Sequence, residues 1–300
     1  MEIKGLHKKF KDVHAVAGLD LNVYEGDVFG FLGPNGAGKS TTIRMLMTLI
    51  FPTSGEIKLF GKDIYKERKY ILSRVGAIVE KPDFYGYLSA YKNLEILART
   101  SGYPVTKKRI MEILEMVGLD KRYKSKVKTF SHGMKQRLGI AQALIHDPQL
   151  IILDEPTTGL DPQGMKEIRE LVISLSKDHK KTIFLSSHIL YEVEMIANRM
   201  VIINKGQTVI EGSVNELLDA TEARVNIEVD DPQKAVQLIG ETSFNGKIDS
   251  VTGNTVILFA HKSDIAPINK KLVENGLSVS SIVPTRSLEE YFLNLTEKVE

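Results

Sequence analysis

Apolar residues fall along this chain in short blocks, and the spacing inside each block predicts an element. Val28-Phe29-Gly30-Phe31-Leu32 is an apolar run of strand length, as a buried strand requires. Residues Thr42 to Leu49 can continue as a helix soon after it. A more helical stretch runs from Leu88 to Ala143, where Ile110, Ile113, Leu114 and Val117 recur at i, i+3, i+4 and i+7 and share one face. Leu150-Ile151-Ile152-Leu153 reads as a second buried strand. Ile168, Leu171, Val172 and Leu175 then mark an amphipathic helix, and Thr182-Ile183-Phe184-Leu185 a further strand. Strands alternating with helices predict a mostly parallel sheet covered on both faces. Met200 to Ile210 reads as a hairpin turning at Asn204-Lys205-Gly206.

After Gly212 the pattern changes. It predicts a strand at Val225–Val229, a helix at Gln233–Ile239, two strands around Gly246 and Gly253, a helix at Ile265–Glu274 and a strand at Leu277–Val283, with a short amphipathic helix from Ser287. A β-α-β-β-α-β order suggests a small ferredoxin-like domain. The expected organisation is an α/β domain over residues 1–215, with a helical subdomain over about 84–145, followed by an α+β accessory domain over 222–300.

Composition narrows the class without naming a function. With 42% hydrophobic and 26% charged residues the chain reads as an ordinary globular protein. Its apolar runs fall far short of the ~20 residues that cross a bilayer, and the N-terminus has no signal-peptide core. The absence of cysteine removes disulfides, a thiolate nucleophile and Cys-ligated metal, and suits the cytosol. A net charge of +2 does not point to nucleic acid. The charge is uneven: residues 221–300 hold 8 Lys/Arg against 12 Asp/Glu, the remainder 32 against 26. The mildly basic front suits phosphates, although most of those charges serve equally as a solvated surface.

Gly33-Pro34-Asn35-Gly36-Ala37-Gly38-Lys39-Ser40-Thr41 fills the pattern G-x-x-x-x-G-K-[ST] between the first strand and helix. The glycines let backbone N–H groups point inward, and the helix adds its positive end. Lys39 can reach the β- and γ-phosphates and the Ser40 hydroxyl can ligate Mg²⁺. The chain is therefore expected to bind a nucleoside triphosphate. The Leu150–Leu153 strand ends in Asp154-Glu155. Carboxylates at a strand tip beside phosphate can hold the metal's ligand shell (Asp154) and orient or deprotonate the attacking water (Glu155). The remaining histidines, His7, His14, His132, His146, His179 and His261, lack metal-ligand spacing and read as surface or packing residues.

Phe130-Ser131-His132-Gly133-Met134 lies between these two motifs, and Thr157-Thr158-Gly159-Leu160-Asp161-Pro162 and Ser186-Ser187-His188 follow them. This ordered set resembles the ATP-binding cassette (ABC) ATPase family over about residues 1–215. The resemblance implies a P-loop NTPase core, with Gly33 to Thr41 as the Walker A loop, Leu150 to Asp154 as the Walker B strand and Glu155 as the catalytic carboxylate. It further implies Ser131 and Gly133 in the signature loop, Asp161 in the D-loop, His188 as the switch histidine reading the γ-phosphate, and Phe10 as the aromatic stacking on adenine. Core packing is the bland alternative for Phe10. The implied cofactors are ATP and Mg²⁺. The implied partners are a second ABC ATPase subunit, whose signature loop closes over this chain's ATP, and a separate polytopic permease that holds the chain on the inner face of the cell membrane.

The signature is usually Leu-Ser-Gly-Gly-Gln, and this chain keeps its serine and second glycine. Where the family has a glutamine, Val79-Glu80-Lys81-Pro82 carries a glutamate. Glu80 is expected to contact the water shell of Mg²⁺, and its charge near phosphates is repulsive unless Mg²⁺ or Lys81 offsets it. The segment from Glu80 to Ser89 resembles the subgroup exporting peptide antibiotics such as bacitracin and lantibiotics. Phe84, Tyr85, Tyr87 and Leu88 stand where the family docks its permease, although core packing explains them nearly as well. ABC ATPases of DNA repair carry a long coiled coil before the signature, and translation-factor types carry two cassettes; neither feature is present. The tail domain could sense a ligand, tether a second copy or cover a sheet edge.

Overall fold

The half-exposed strands nearest the N-terminus and the fully buried strands form separate sheets. The computed structural model describes residues 1–102, 105–220, 223–242 and 246–285. The chain divides into two units, Met1–Gly212 and Ser213–Glu300.

In the first unit, β1 (Glu2–Phe10), β2 (Val13–Asn22), β4 (Ser54–Leu59) and β5 (Lys62–Asp63) form an antiparallel sheet of order β2-β1-β4-β5. Its strands bury some positions and expose others, as a sheet wetted on one face does. The second sheet has the order β10-β9-β3-β8-β7-β6. It comprises β3 (Val28–Leu32), β6 (Val75–Ile78), β7 (Leu150–Asp154), β8 (Thr182–Ser187), β9 (Arg199–Asn204) and β10 (Gln207–Ser213). Its inner pairs β3–β8, β3–β9, β7–β8 and β6–β7 are parallel. β3 and β7 are buried at every position, which accounts for their unbroken apolar sequences. Phe29 and Phe31 from β3 pack on Phe184 from β8, with ring centroids 5.9 and 5.2 Å apart.

The helices of this unit are α1 (Lys39–Leu46), α2 (Arg68–Leu72), α3 (Ala90–Thr100), α4 (Lys107–Met116), α5 (His132–Ala143), α6 (Pro162–Lys177) and α7 (Leu190–Glu194). α1 starts three residues earlier than its apolar pattern suggests, inside the glycine-rich segment, and ends before Thr48, which is left-handed at φ 55°. α4 buries Ile110, Ile113 and Leu114, and α6 buries Ile168, Leu171, Val172 and Leu175, the faces read from spacing. Ser89, Thr106, Ser131 and Asp161 cap α3, α4, α5 and α6 through side-chain oxygens.

The second unit contains α8 (Val214–Ala220), β11 (Ala223–Val229), α9 (Pro232–Gly240), β12 (Ile248–Thr252), β13 (Thr255–Ala260), α10 (Lys262–Glu274) and β14 (Val279–Thr285). Its sheet has the order β12-β13-β11-β14, with every pair antiparallel, the connectivity of a split βαβ unit. Ala235, Ile239, Ile268 and Leu272 of the helices pack on Val225, Ile227, Val256 and Leu258 of the sheet. The short helix expected from Ser287 lies outside the described residues.

The parallel register sets Leu32 opposite Ser187 and Asp154 opposite Ser186. The carboxyl ends of β3, β7 and β8 therefore meet at one edge of the sheet, where open α/β sheets bind ligands.

Candidate functional site

The loop between β3 and α1 wraps around a buried lysine. Lys39 is 6% exposed, and its Nζ donates to the carbonyls of Gly33 at 2.7 Å and Pro34 at 3.2 Å. The same Nζ lies 3.3 Å from Glu155 Oε1. A buried ammonium requires such partners, since desolvating an unpaired charge costs several kcal/mol. Gly38 caps α1 at φ 106°, with its carbonyl accepting from Thr42 Oγ1 at 3.0 Å.

The tip of β7 carries the two carboxylates. Ser186 Oγ donates to Asp154 Oδ1 at 2.6 Å and accepts from the Glu155 N–H at 3.0 Å. Glu155 sits in the left-handed region at φ 49°, a conformation that costs about 1–3 kcal/mol and persists where its surroundings enforce it. Its Oε2 accepts from Thr158 Oγ1 at 2.9 Å and lies 2.6 Å from His188 Nδ1. Burial pushes the Glu155 carboxyl up; hydrogen bonds from His188 and Thr158 and the charges of Lys39 and His188 outweigh it, so the net shift is downward. The turn continues to Thr157, which donates to the buried Glu192 of α7.

These groups line one cleft of about 490 Å³. It collects Asn35, Gly36, Gly38, Lys39, Ser40, Thr41, Glu155, Thr158 and His188, with Val13, His14 and Ala15 along one wall. Gly33 and Pro34 serve it from behind through their carbonyls, and Ala37 is buried beneath the loop. Phe10 is not part of the lining; it is 45% exposed beside Val13, its partner across the β1–β2 pair, with Lys8 Nζ 4.7 Å from its ring centre. Ser131, Gly133 and Asp161 also lie outside the lining. Ser131 Oγ accepts from the Met134 N–H at 3.2 Å and Asp161 Oδ1 from the Gly164 N–H at 2.8 Å. A Cβ on Gly133 would stand 3.9 Å from Gly164 Cα and Leu160 Cδ2, which places the start of α5 beside the start of α6.

Glu80 has a partner that the sequence did not suggest. Its countercharge is Arg44 of α1, whose guanidinium hydrogen-bonds the Glu80 carboxylate, and not the neighbouring Lys81. Sequence order hides this pair because the two residues stand 36 positions apart and meet only in the folded chain. Ser186 and Thr158 stand in segments singled out from the sequence without a role assigned to either; here they contact Asp154 and Glu155. The signal for Ser186 was a polar residue in a strand otherwise buried, which demands a partner.

Residues 16–158 match the ABC transporter family. Over 97% of its length the chain is 46% identical to the bacitracin transport ATP-binding protein BcrA of Bacillus licheniformis, covering 95% of that protein. The chain belongs to the ABC transporter ATP-binding proteins.

This ABC ATPase is also 36% identical to the Nod factor export ATP-binding protein I of Cupriavidus pinatubonensis, over 99% of this chain and 90% of that one. Its fold matches a dimeric ATP-binding cassette solved in a post-hydrolysis state with ADP and Pi: TM-score 0.62, 26% identity, 71% of this chain and 98% of that one. It is the ATP-binding and ATP-hydrolysing subunit of a transporter. No helix among its described residues is long and apolar enough to cross a membrane.

Proposed function

We propose that this ATPase dimerises around Mg-ATP and powers a separate polytopic permease, held by it on the cytoplasmic face of the membrane, in export of a peptide-antibiotic class of substrate. The observation that carries the catalytic part is the convergence of Lys39, Glu155 and His188 beside Ser40 in one cleft. Phosphoryl transfer needs positioning and charge stabilisation more than covalent chemistry. Backbone N–H groups of Gly36, Gly38 and Lys39 would face the phosphates, and Lys39 and His188 would stabilise charge on the γ-phosphate. Glu155 would orient the attacking water. Phe10, next to the cleft wall, would stack on adenine, a contact indifferent to base edges.

The donor set suits Mg²⁺, a hard cation of oxygen ligands. Ser40 contributes a hydroxyl, and Asp154 keeps Oδ2 without a protein hydrogen bond among the described residues while Ser186 holds Oδ1. Bound Mg²⁺ would neutralise charge on the β- and γ-phosphates. Glu80 would contact its water shell after exchange from Arg44.

Dimerisation is supported by where Ser131, Gly133 and Asp161 lie. They are outside the chain's own cleft, as residues serving a partner's nucleotide must be. The exposed Tyr85 and Tyr87, the latter 67% exposed with ring centres 6.1 Å apart, suit a permease contact. Export is supported by the Nod factor export relative, and the peptide-antibiotic class by the bacitracin transport relative and by the 42% identity to the lantibiotic transport ATP-binding protein SrtF of Streptococcus pyogenes, over 70% of this chain and 90% of that one.

The test is Glu155→Gln. The variant should bind ATP, accumulate as a dimer in size-exclusion chromatography with light scattering, and turn over at least about 100-fold more slowly. A monomeric or fully active variant would overturn the reading.

A further inference from the structure

One hydroxyl touches both acidic residues at the β7 tip. Ser186 is 0% exposed, and its register opposite Asp154 brings its Oγ against that residue's Oδ1 at 2.6 Å. The same oxygen accepts the Glu155 N–H at 3.0 Å. A hydroxyl can donate and accept at once, which an apolar strand residue cannot. Its single proton goes to the carboxylate, so its lone pair is left for the amide.

That pairing fixes what Asp154 and Glu155 can do. Holding Oδ1 sets the plane of the Asp154 carboxylate and leaves Oδ2 as its remaining acceptor. Holding the Glu155 amide supports the left-handed turn at φ 49° that carries its side chain to Lys39, Thr158 and His188. His188 follows Ser186 by two residues, so the end of β8 supplies both the support for the Glu155 backbone and the partner of its carboxylate.

We infer that Ser186 is a positioning residue for ATP hydrolysis, holding the metal-side carboxylate of Asp154 and the water-side carboxylate of Glu155 in fixed relation. This rests on the roles proposed above for those two residues. Ser186 is fully buried and is not among the residues lining the cleft. Its removal should therefore slow turnover while leaving ATP binding, which the phosphate loop provides, largely intact.

The experiment compares full-length wild type, Ser186→Ala, Ser186→Thr and Glu155→Gln. It measures single-turnover ATP hydrolysis, ATP affinity by titration calorimetry, Mn²⁺ affinity of the ATP complex by EPR, and Tm. Loss of a hydrogen bond to a buried charged group predicts a turnover rate about 10- to 100-fold lower for Ser186→Ala. ATP affinity should stay within about threefold and Mn²⁺ affinity should fall at least about threefold, by the same criterion for a binding effect. Ser186→Thr, which keeps the hydroxyl, should restore turnover. If Ser186→Ala does not fold, a folded Ser186→Thr decides alone: near-wild-type turnover supports the inference and its loss overturns it. Wild-type turnover in Ser186→Ala, or parallel loss of turnover and ATP affinity, would overturn it as well. An inactive Glu155→Gln beside a normal Ser186→Ala sinks only the role of Ser186, whereas an active Glu155→Gln sinks the reading beneath it.

Discussion

His188 Nδ1 lies 2.6 Å from Glu155 Oε2, while Lys39 Nζ lies 3.3 Å from the other oxygen of the same carboxylate. Three groups from α1, β7 and the end of β8 are thus joined through one side chain. Groups that act as a unit lose activity non-additively. His188→Ala and Glu155→Gln should each lower turnover by about 100-fold or more, with the double variant no worse than about threefold below the weaker single one. Phosphate-release kinetics check this. Multiplicative losses would show that the two residues act independently.

The downward shift at Glu155 makes stability depend on pH in a definite direction. Its carboxyl titrates below its ordinary value of 4.5 in the folded chain. The ionised form therefore stabilises the native state above the unfolded pKa, and that stability is lost as pH falls through the folded pKa. The Tm advantage of wild type over Glu155→Gln, measured without nucleotide, should be constant near neutrality and shrink below about pH 4.5. A gap that widens on acidification would contradict the assigned contacts.

Arg44 and Glu80 form an exposed ion pair, so their contribution to stability is small, about 0–1 kcal/mol. Their effect should appear in nucleotide affinity instead. Arg44→Ala leaves the Glu80 carboxylate uncompensated and should weaken ATP binding by about 3- to 10-fold, the range of a modest charge interaction. Adding Glu80→Gln should restore it. Calorimetric titration of the four proteins closes the cycle, and failure of the second change to rescue would mean that Arg44 meets the nucleotide directly. Glu80→Gln with unchanged ATPase activity, Mg²⁺ dependence and transport coupling would remove Glu80 from the site.

Gly38 and Gly36 are both left-handed, at φ 106° and 85°, but only one is crowded. A Cβ on Gly38 would stand 2.3 Å from the Ala15 carbonyl, whereas one on Gly36 meets nothing within 4 Å. Gly36→Ala should cost about 1 kcal/mol from its dihedral alone. Gly38→Ala should cost at least about 3 kcal/mol and abolish ATP binding, because the backbone it strikes cannot yield. Thermal unfolding of both variants gives the comparison, and equal shifts would refute it.

Deep in the sheet, Phe184 stacks on Phe29 at 6° and meets Phe31 at 36°. Phe184→Ala should lose about 3–5 kcal/mol by denaturant unfolding, since packed neighbours do not close such a cavity. A loss under about 1 kcal/mol would show that the sheet interior repacks around the gap.

The sequence alone determined a large part of this protein, and the reason is local. Gly33 to Thr41 specifies a loop because glycine geometry and a helix start are encoded within nine consecutive positions. Buried strands such as Leu150–Leu153 announce themselves by unbroken apolarity, and the faces of α4 and α6 by their spacing. Asp154 and Glu155 were legible because they follow directly on the readable strand Leu150–Leu153, and His188 because its segment resembles the family's switch motif. Only the tertiary structure decided what those residues touch. The parallel register of β7 and β8 sets Ser186 against Asp154, and folding brings Arg44 of α1 against Glu80, two residues beyond β6. Neither pair is close in sequence, and a hydroxyl or a guanidinium carries no mark of its partner until the chain has folded. The left-handed turn at Glu155 belongs to the same class, since a non-glycine residue adopts φ 49° only when its neighbours hold it there.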